Sequence, residues 1–153
     1  MNQIKDRIPL QIVKGSLVLN TLLECSSLRV RRQLIRFVVD TGSSDSYLSY
    51  KEVKKLQIPI KERPFRGEVD VGGSRFKVVK LPKFTMYLLK DGSNNYITLK
   101  VSLSALKTTK VSEKKVEIAE TLPCILGLDF LKEQKLSLHV VLTEDLAYLQ
   151  CEK

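Results

Sequence analysis

The sequence predicts a mainly β, barrel-like domain with two short helices, and three observations carry that prediction. Short apolar runs recur along the chain, most of them separated by turns rich in glycine, asparagine or aspartate. Only two stretches carry the signals of a helix start. No internal repeat and no Pro/Gly/Ser-rich linker divides the 153 residues, 43% of them hydrophobic, so 1–153 is read as one domain able to bury one core.

Leu10–Val13 and Ser16–Leu23 flank Lys14-Gly15 and read as a β-hairpin. Ser26-Ser27 interrupts the pattern before a second apolar run, Leu28–Val39, which leads directly into Asp40. In Tyr47–Leu56, Ser49 and Glu52 have capping-box spacing, while Leu48 and Val53 occupy the two positions of a hydrophobic staple, so a short helix starts here. Pro59 and Pro64 end it. Glu68–Val71 and Arg75–Val79 flank Gly72-Gly73-Ser74, a tight-hairpin signal, and Lys83–Leu89 with Tyr96–Leu103 form another hairpin around Asp91-Gly92-Ser93-Asn94-Asn95. Thr108–Lys115 is a charged surface excursion. Pro123–Lys132 reads as a buried strand that passes through Gly127 into the second helix, and Leu136–Leu142 and Leu146–Gln150 close the chain as two strands.

Composition excludes several classes of function. With 26 Lys+Arg against 17 Asp+Glu the net charge is +9, but the densest basic run, Arg29, Arg31, Arg32 and Arg36, is interleaved with Leu28, Val30, Leu34 and Phe37. That alternation describes a strand with one solvated face, and no zinc-finger spacing or RNP-like aromatic motif accompanies it, which argues against nucleic acid as a partner. Cys25, Cys124 and Cys151 are too far apart for a metal site and odd in number, so they read as free thiols in a reducing, cytoplasmic compartment. No metal and no other cofactor is expected. His139 is the single histidine and sits on a predicted strand, which leaves no Ser-His-Asp arrangement and no multi-histidine metal site. Met1–Leu10 lacks the apolar core of a signal peptide, and no stretch is long and apolar enough for a membrane span.

The candidate chemistry lies in Phe37-Val38-Val39-Asp40-Thr41-Gly42-Ser43-Ser44. An apolar strand runs into an acid, a hydroxyl, a glycine and two more hydroxyls. The glycine permits a tight turn, and the hydroxyls supply hydrogen bonds that orient a carboxylate. An ordinary Asp/Ser/Gly turn has the same composition, so the surroundings must decide.

Those surroundings resemble the retropepsin-like branch of the aspartic proteases, in which one chain equals one lobe of a pepsin and two chains make an enzyme. The resemblance rests on the order of Val38-Val39-Asp40-Thr41-Gly42-Ser43-Ser44, the helix start Leu48-Ser49-Tyr50-Lys51-Glu52, the glycine-tipped hairpin Val71-Gly72-Gly73-Ser74 and Ile125-Leu126-Gly127-Leu128-Asp129-Phe130-Leu131. It implies a closed acid-protease β-barrel. By resemblance Asp40 is the catalytic acid, Thr41 locks two loops across a dimer axis, Gly42 brings backbone close to substrate and Ser43 bonds the outer carboxylate oxygen. Gly42, Ser44, Asp45 and the flap residues Val71, Gly72, Gly73 and Ser74 would contact an extended peptide or unfolded protein. Two departures stand out: the hairpin around Gly92 lengthens the segment after the flap, and Asp45 is an imperfect counterpart of the acid that often comes after the catalytic turn.

One aspartate cannot easily both deprotonate a water and protonate an amide nitrogen, and the chain holds no second Asp-Thr/Ser-Gly. Asp129 is explained by the start of the second helix. The second acid would therefore come from a homodimer that sets Asp40 beside its symmetry mate. The competing expectation is a catalytically silent module of the same fold that dimerises or binds peptides, because fold does not fix function.

Overall fold

The computed structural model describes residues 6–60, 63, 65–71, 74–90, 94–107, 117 and 120–152. Its elements are β1 (Arg7–Val13), β2 (Ser16–Cys25), β3 (Val30–Val39), β4 (Tyr47–Leu48), α1 (Tyr50–Lys55), β5 (Phe65–Val71), β6 (Ser74–Lys80), β7 (Phe84–Leu89), β8 (Tyr96–Val101), β9 (Ser104–Lys107), β10 (Cys124–Leu126), α2 (Leu128–Glu133), β11 (Leu136–Val141) and β12 (Leu146–Cys151). Single turns of 3-10 helix at Ser26–Leu28 and Leu142–Glu144 join β2 to β3 and β11 to β12.

The first hairpin turns where the sequence places it, with Lys14 and Gly15 both at positive φ (49° and 80°), the twist that matches a two-residue hairpin loop. The hairpin of β7 and β8 likewise forms, with Leu89 opposite Tyr96, while residues 91–93 lie outside the described residues. In the hairpin of β5 and β6, Val71 pairs with Ser74 across the turn; Gly72 and Gly73 lie outside the described residues, as does the whole excursion at 108–115.

All twelve described strands join one sheet, in the order β11-β12-β1-β2-β3-β10-β4-β9-β6-β5, with β7 and β8 branching from β2. The branch arises because β2 is long. One of its edges pairs with β3, while the other is shared by β1 at Val18 and its neighbours and by β7 at Leu22–Glu24. The barrel closure expected from the resemblance is not formed among the described strands: β11 and β5 end the path unpaired with each other, and the branched sheet folds around its core instead.

The main core gathers Phe37, Phe84, Met86, Leu23, Leu126 and Leu149, all essentially inaccessible to solvent. Each such side chain contributes roughly 1.5–3 kcal/mol of burial. A second, smaller cluster of Tyr47, Phe76, Val78 and Leu106 joins β4, β6 and β9, with Val69, Leu122 and Ile125 packed on it.

The basic run is solvated, but not by simple alternation. Leu23 pairs with Gln33 and Cys25 with Val30, so β3 carries one residue more than β2 between those pairs. This bulge turns both Arg31 and Arg32 outward and reverses the phase of the remaining strand. Leu34, expected on the buried face, is consequently 69% exposed, while Ile35 and Phe37 are buried. His139 is half-buried on β11, stacked on Tyr148 at 4.9 Å and within 2.9 Å of the Ser137 hydroxyl.

Candidate active site

Strand β10 organises the site. It pairs parallel with the end of β3, Val38 beside Ile125 and Val39 beside Leu126, and antiparallel with β4 at Ile125 and Tyr47. The chain thus leaves β3 on one side of β10, makes the Asp40–Ser46 loop, and returns on its other side. A polar loop is thereby held between the apolar end of β3 and the short strands β10 and β4.

Within the loop, the Gly42 amide donates to Asp40 Oδ1 at 2.8 Å and the Ser43 amide to the Asp40 carbonyl at 3.1 Å, a tight turn that fixes the carboxylate relative to its own backbone. The Asp40 amide donates to the Leu126 carbonyl at 2.9 Å, and Asp40 itself is exposed to solvent. Across the loop, the Leu128 and Asp129 amides donate to the carbonyls of Ser43 and Ser44 at 2.8 and 3.1 Å. The first amides of α2, which have no partners within the helix, are satisfied by the Asp40–Ser46 loop.

Two residues that the sequence does not mark as site residues complete this frame. Ser46, 1% exposed, donates its hydroxyl proton to Asp129 Oδ1 at 2.6 Å and accepts from the Gly127 amide at 2.9 Å. Asp129 Oδ1 also accepts from the Phe130 amide at 2.7 Å. The only signal for them in the sequence is an acid directly after Gly127-Leu128, which a helix start explains equally well.

A cavity of about 280 Å³ opens beside Asp40. Gly42, Ser43 and Ser44 form its polar side; Leu48, Val69, Leu106, Leu122 and Ile125 form its apolar side. Strand β5, which carries Val69, thus shares this cavity with the Asp40–Ser46 loop. Ser49, beside Leu48 in the same wall, accepts through Oγ from the Glu52 amide at 3.1 Å, capping α1. The Ser49 amide donates to Cys124 Sγ at 3.2 Å, and burial pushes the Cys124 thiol above its ordinary range. Cys124 is therefore a packing thiol.

Of the sequence-derived site residues, Asp40, Gly42, Ser43 and Ser44 line the cavity. Thr41 is exposed and stands outside its lining. Ser43 Oγ donates to the Asp45 carbonyl at 2.8 Å, so its single hydroxyl proton is engaged there and not on the Asp40 carboxylate as expected. Asp45 is not among the lining residues; its carboxylate receives the Tyr47 hydroxyl at 3.3 Å. Gly72 and Gly73 lie outside the described residues, and Val71 and Ser74 are described by their backbone pairing alone. Among the described residues no group of three or more His, Cys, Asp or Glu could hold a metal ion, and no helix is long and apolar enough to cross a membrane.

An Asp-Thr-Gly loop framed by β3, β10 and β4 and faced by a hairpin defines the retropepsin-like fold. A crystal structure of a retropepsin-like aspartic protease from Rickettsia conorii superposes with a TM-score of 0.58 at 16% identity, over 99% of this chain and 97% of that one. No curated protein sequence matches the chain. The family model for aspartyl proteases matches residues 27–130, from the 3-10 turn before β3 to the middle of α2, and the chain belongs to that family.

Proposed function

We propose that the chain is an aspartic endopeptidase that acts as a homodimer, with one Asp40 from each copy forming the catalytic pair. One observation carries this reading: the single Asp-Thr-Gly loop presents an exposed carboxylate, fixed by its own turn, at the mouth of a largely apolar cavity faced by a hairpin. A lone carboxylate there has no partner for acid–base exchange. A twofold axis beside Asp40 supplies one, and the exposure of Thr41 and Gly42 leaves that surface open to it.

In the pair, two adjacent carboxylates share one proton, because both cannot readily carry charge at that separation. The ionised one takes a proton from a bound water as the water oxygen attacks the scissile carbonyl carbon. The protonated one donates a hydrogen bond to the carbonyl oxygen, and proton transfer to the amide nitrogen then lets the C–N bond break. An extended peptide would lie between the catalytic loops and the flap, its backbone adding to the enzyme strands and a side chain entering the wall of Leu48, Val69, Leu106 and Ile125. Three free cysteines support a reducing, cytoplasmic setting.

Cleavage of a peptide library from acidic to neutral pH, comparing wild type with Asp40→Asn and adding a statine-type transition-state mimic, tests the reading. Wild type cleaves and the mimic blocks it; Asp40→Asn does not cleave. Undiminished cleavage by the Asn variant would refute the assignment.

A further inference from the structure

Asp129 and Ser46 stand at one end of a continuous chain of hydrogen bonds whose other end is the backbone of Asp40. The Ser46 hydroxyl donates to Asp129 Oδ1 at 2.6 Å, and the same oxygen of Ser46 accepts from the Gly127 amide at 2.9 Å. That amide belongs to the Leu126–Gly127 peptide unit, whose carbonyl accepts from the Asp40 amide at 2.9 Å. One planar, rigid peptide therefore separates the serine from the catalytic residue.

All the dipoles in this chain point the same way. An acceptor carboxylate makes the Ser46 oxygen a better acceptor; that polarises the Gly127 N–H, which in turn strengthens the Leu126 carbonyl as the acceptor for Asp40. We infer that Asp129 and Ser46 are positioning residues that set the placement of the Asp40 carboxylate through the Leu126–Gly127 peptide. The inference rests on Asp40 being the catalytic acid and adds the residues that hold it.

Geometry favours this over a simple helix cap. The same Asp129 oxygen does accept from the Phe130 amide at 2.7 Å, but a cap needs no buried serine, and Ser46 is 1% exposed with both its donor and its acceptor capacity used within this chain. Removing either side chain leaves the Gly127 amide or the Ser46 hydroxyl without its partner at a site closed to water. The peptide is then free to tilt, and Asp40 moves with it. A misplacement of about 1 Å can cost about a hundredfold in a reaction that depends on the approach of two carboxylates, and a smaller one costs less.

The test compares Ser46→Ala, Asp129→Ala, the double variant and Asp129→Asn, in the full chain, by peptide cleavage and by NMR of the Asp40 and Gly127 amides. Each alanine variant should lower kcat by about tenfold or more with KM little changed. The double variant should lose no more than the worse single one, since both act through one chain. Asp129→Asn, whose Oδ1 can accept the same two bonds, should recover most of the loss. Exchange protection at the Asp40 and Gly127 amides should fall in the alanine variants and return in Asp129→Asn, while amides of β11 and β12 are unchanged; this readout does not depend on peptidase activity. Additive losses, or wild-type protection at Asp40 in Ser46→Ala, would overturn the inference. A wild type that cleaves nothing would instead count against the catalytic assignment, with the amide data still deciding the role of Ser46 and Asp129.

Discussion

Gly127 passes so close to the Asp40–Ser46 loop that a Cβ on it would stand 2.5 Å from the carbonyl oxygen of Ser43 and closer still to that of Asp45. Both neighbours are backbone, and the Ser43 carbonyl is committed to the Leu128 amide, so neither can yield without opening the loop. Gly127→Ala should destabilise the protein by about 3 kcal/mol or more, at the upper end of overpacking costs. Gly67→Ala is the matched control: no atom lies within 4 Å of its Cβ position, and denaturant midpoints should show little change. Equal midpoints for the two variants would contradict the close packing.

The N-cap of α1 is also a wall of the cavity. Ser49 Oγ receives the Glu52 amide, and Ser49 lines the cavity beside Leu48. Ser49→Ala should cost about 1 kcal/mol in urea unfolding, the typical worth of a lost N-cap. A variant as stable as wild type would show that α1 needs no cap.

On the outer face of β2, β3 and β7, Glu24, Tyr87 and Arg32 form a trio: the Tyr87 hydroxyl donates to Glu24, Arg32 Nε stands 3.4 Å from Glu24, and the guanidinium lies over the Tyr87 ring at 4.1 Å. The Tyr87 hydrogen bond, then Arg32, holds Glu24 below its ordinary value of 4.5, while the bond to Glu24 holds Tyr87 above its ordinary 10.0. A lowered acid contributes stability that is present above pH 4.5 and lost as pH falls through its folded value. A raised tyrosine contributes stability that is present below pH 10.0 and lost as pH rises through its folded value. Unfolding midpoints against pH should therefore fall less steeply at both ends in Glu24→Gln and in Tyr87→Phe, because each group's shift depends first on the other. Identical profiles in all three proteins would show that the trio contributes nothing. The acid limb matters for enzymology, because loss of activity there must be separated from loss of fold.

The thiols should differ in reactivity. Cys25 and Cys124 are buried, Cys151 is half-buried, and burial holds both Cys124 and Cys151 in the unreactive thiol form. Alkylation of the native protein with detection by mass spectrometry should modify Cys151 first, slowly, and Cys124 only after unfolding. Labelling of Cys124 at the rate of Cys151 would contradict the packing around β10.

The local features were legible in the sequence, and the long-range ones were not. The Lys14-Gly15 turn and the Ser49 cap are written within a few residues, and each forms with the geometry its composition implies. The capping box is only half realised, because the Ser49 amide finds Cys124, far off in sequence, in place of Glu52. Tyr47-Leu48 reads as the approach to a helix but forms β4, since β10 and β9 offer it partners on both sides. β9 itself was invisible: Ser104–Lys107 has no strong pattern, and it is a strand because β4 and β6 flank it. Leu34 was misplaced because a bulge depends on the partner strand. In the site, the Asp40 loop announced itself by composition, whereas Ser46 and Asp129 acquire meaning only when β10 brings them together.

The proposed active site needs two copies of Asp40, and subunit mixing tests that requirement most directly. Wild-type and Asp40→Asn chains are combined at constant total concentration, allowed to exchange, and assayed as the wild-type fraction is varied. If each catalytic pair requires both carboxylates, activity scales as the square of the wild-type fraction, because mixed dimers are silent. Activity that falls in direct proportion to the wild-type fraction would mean that one Asp40 suffices, and would contradict the shared site.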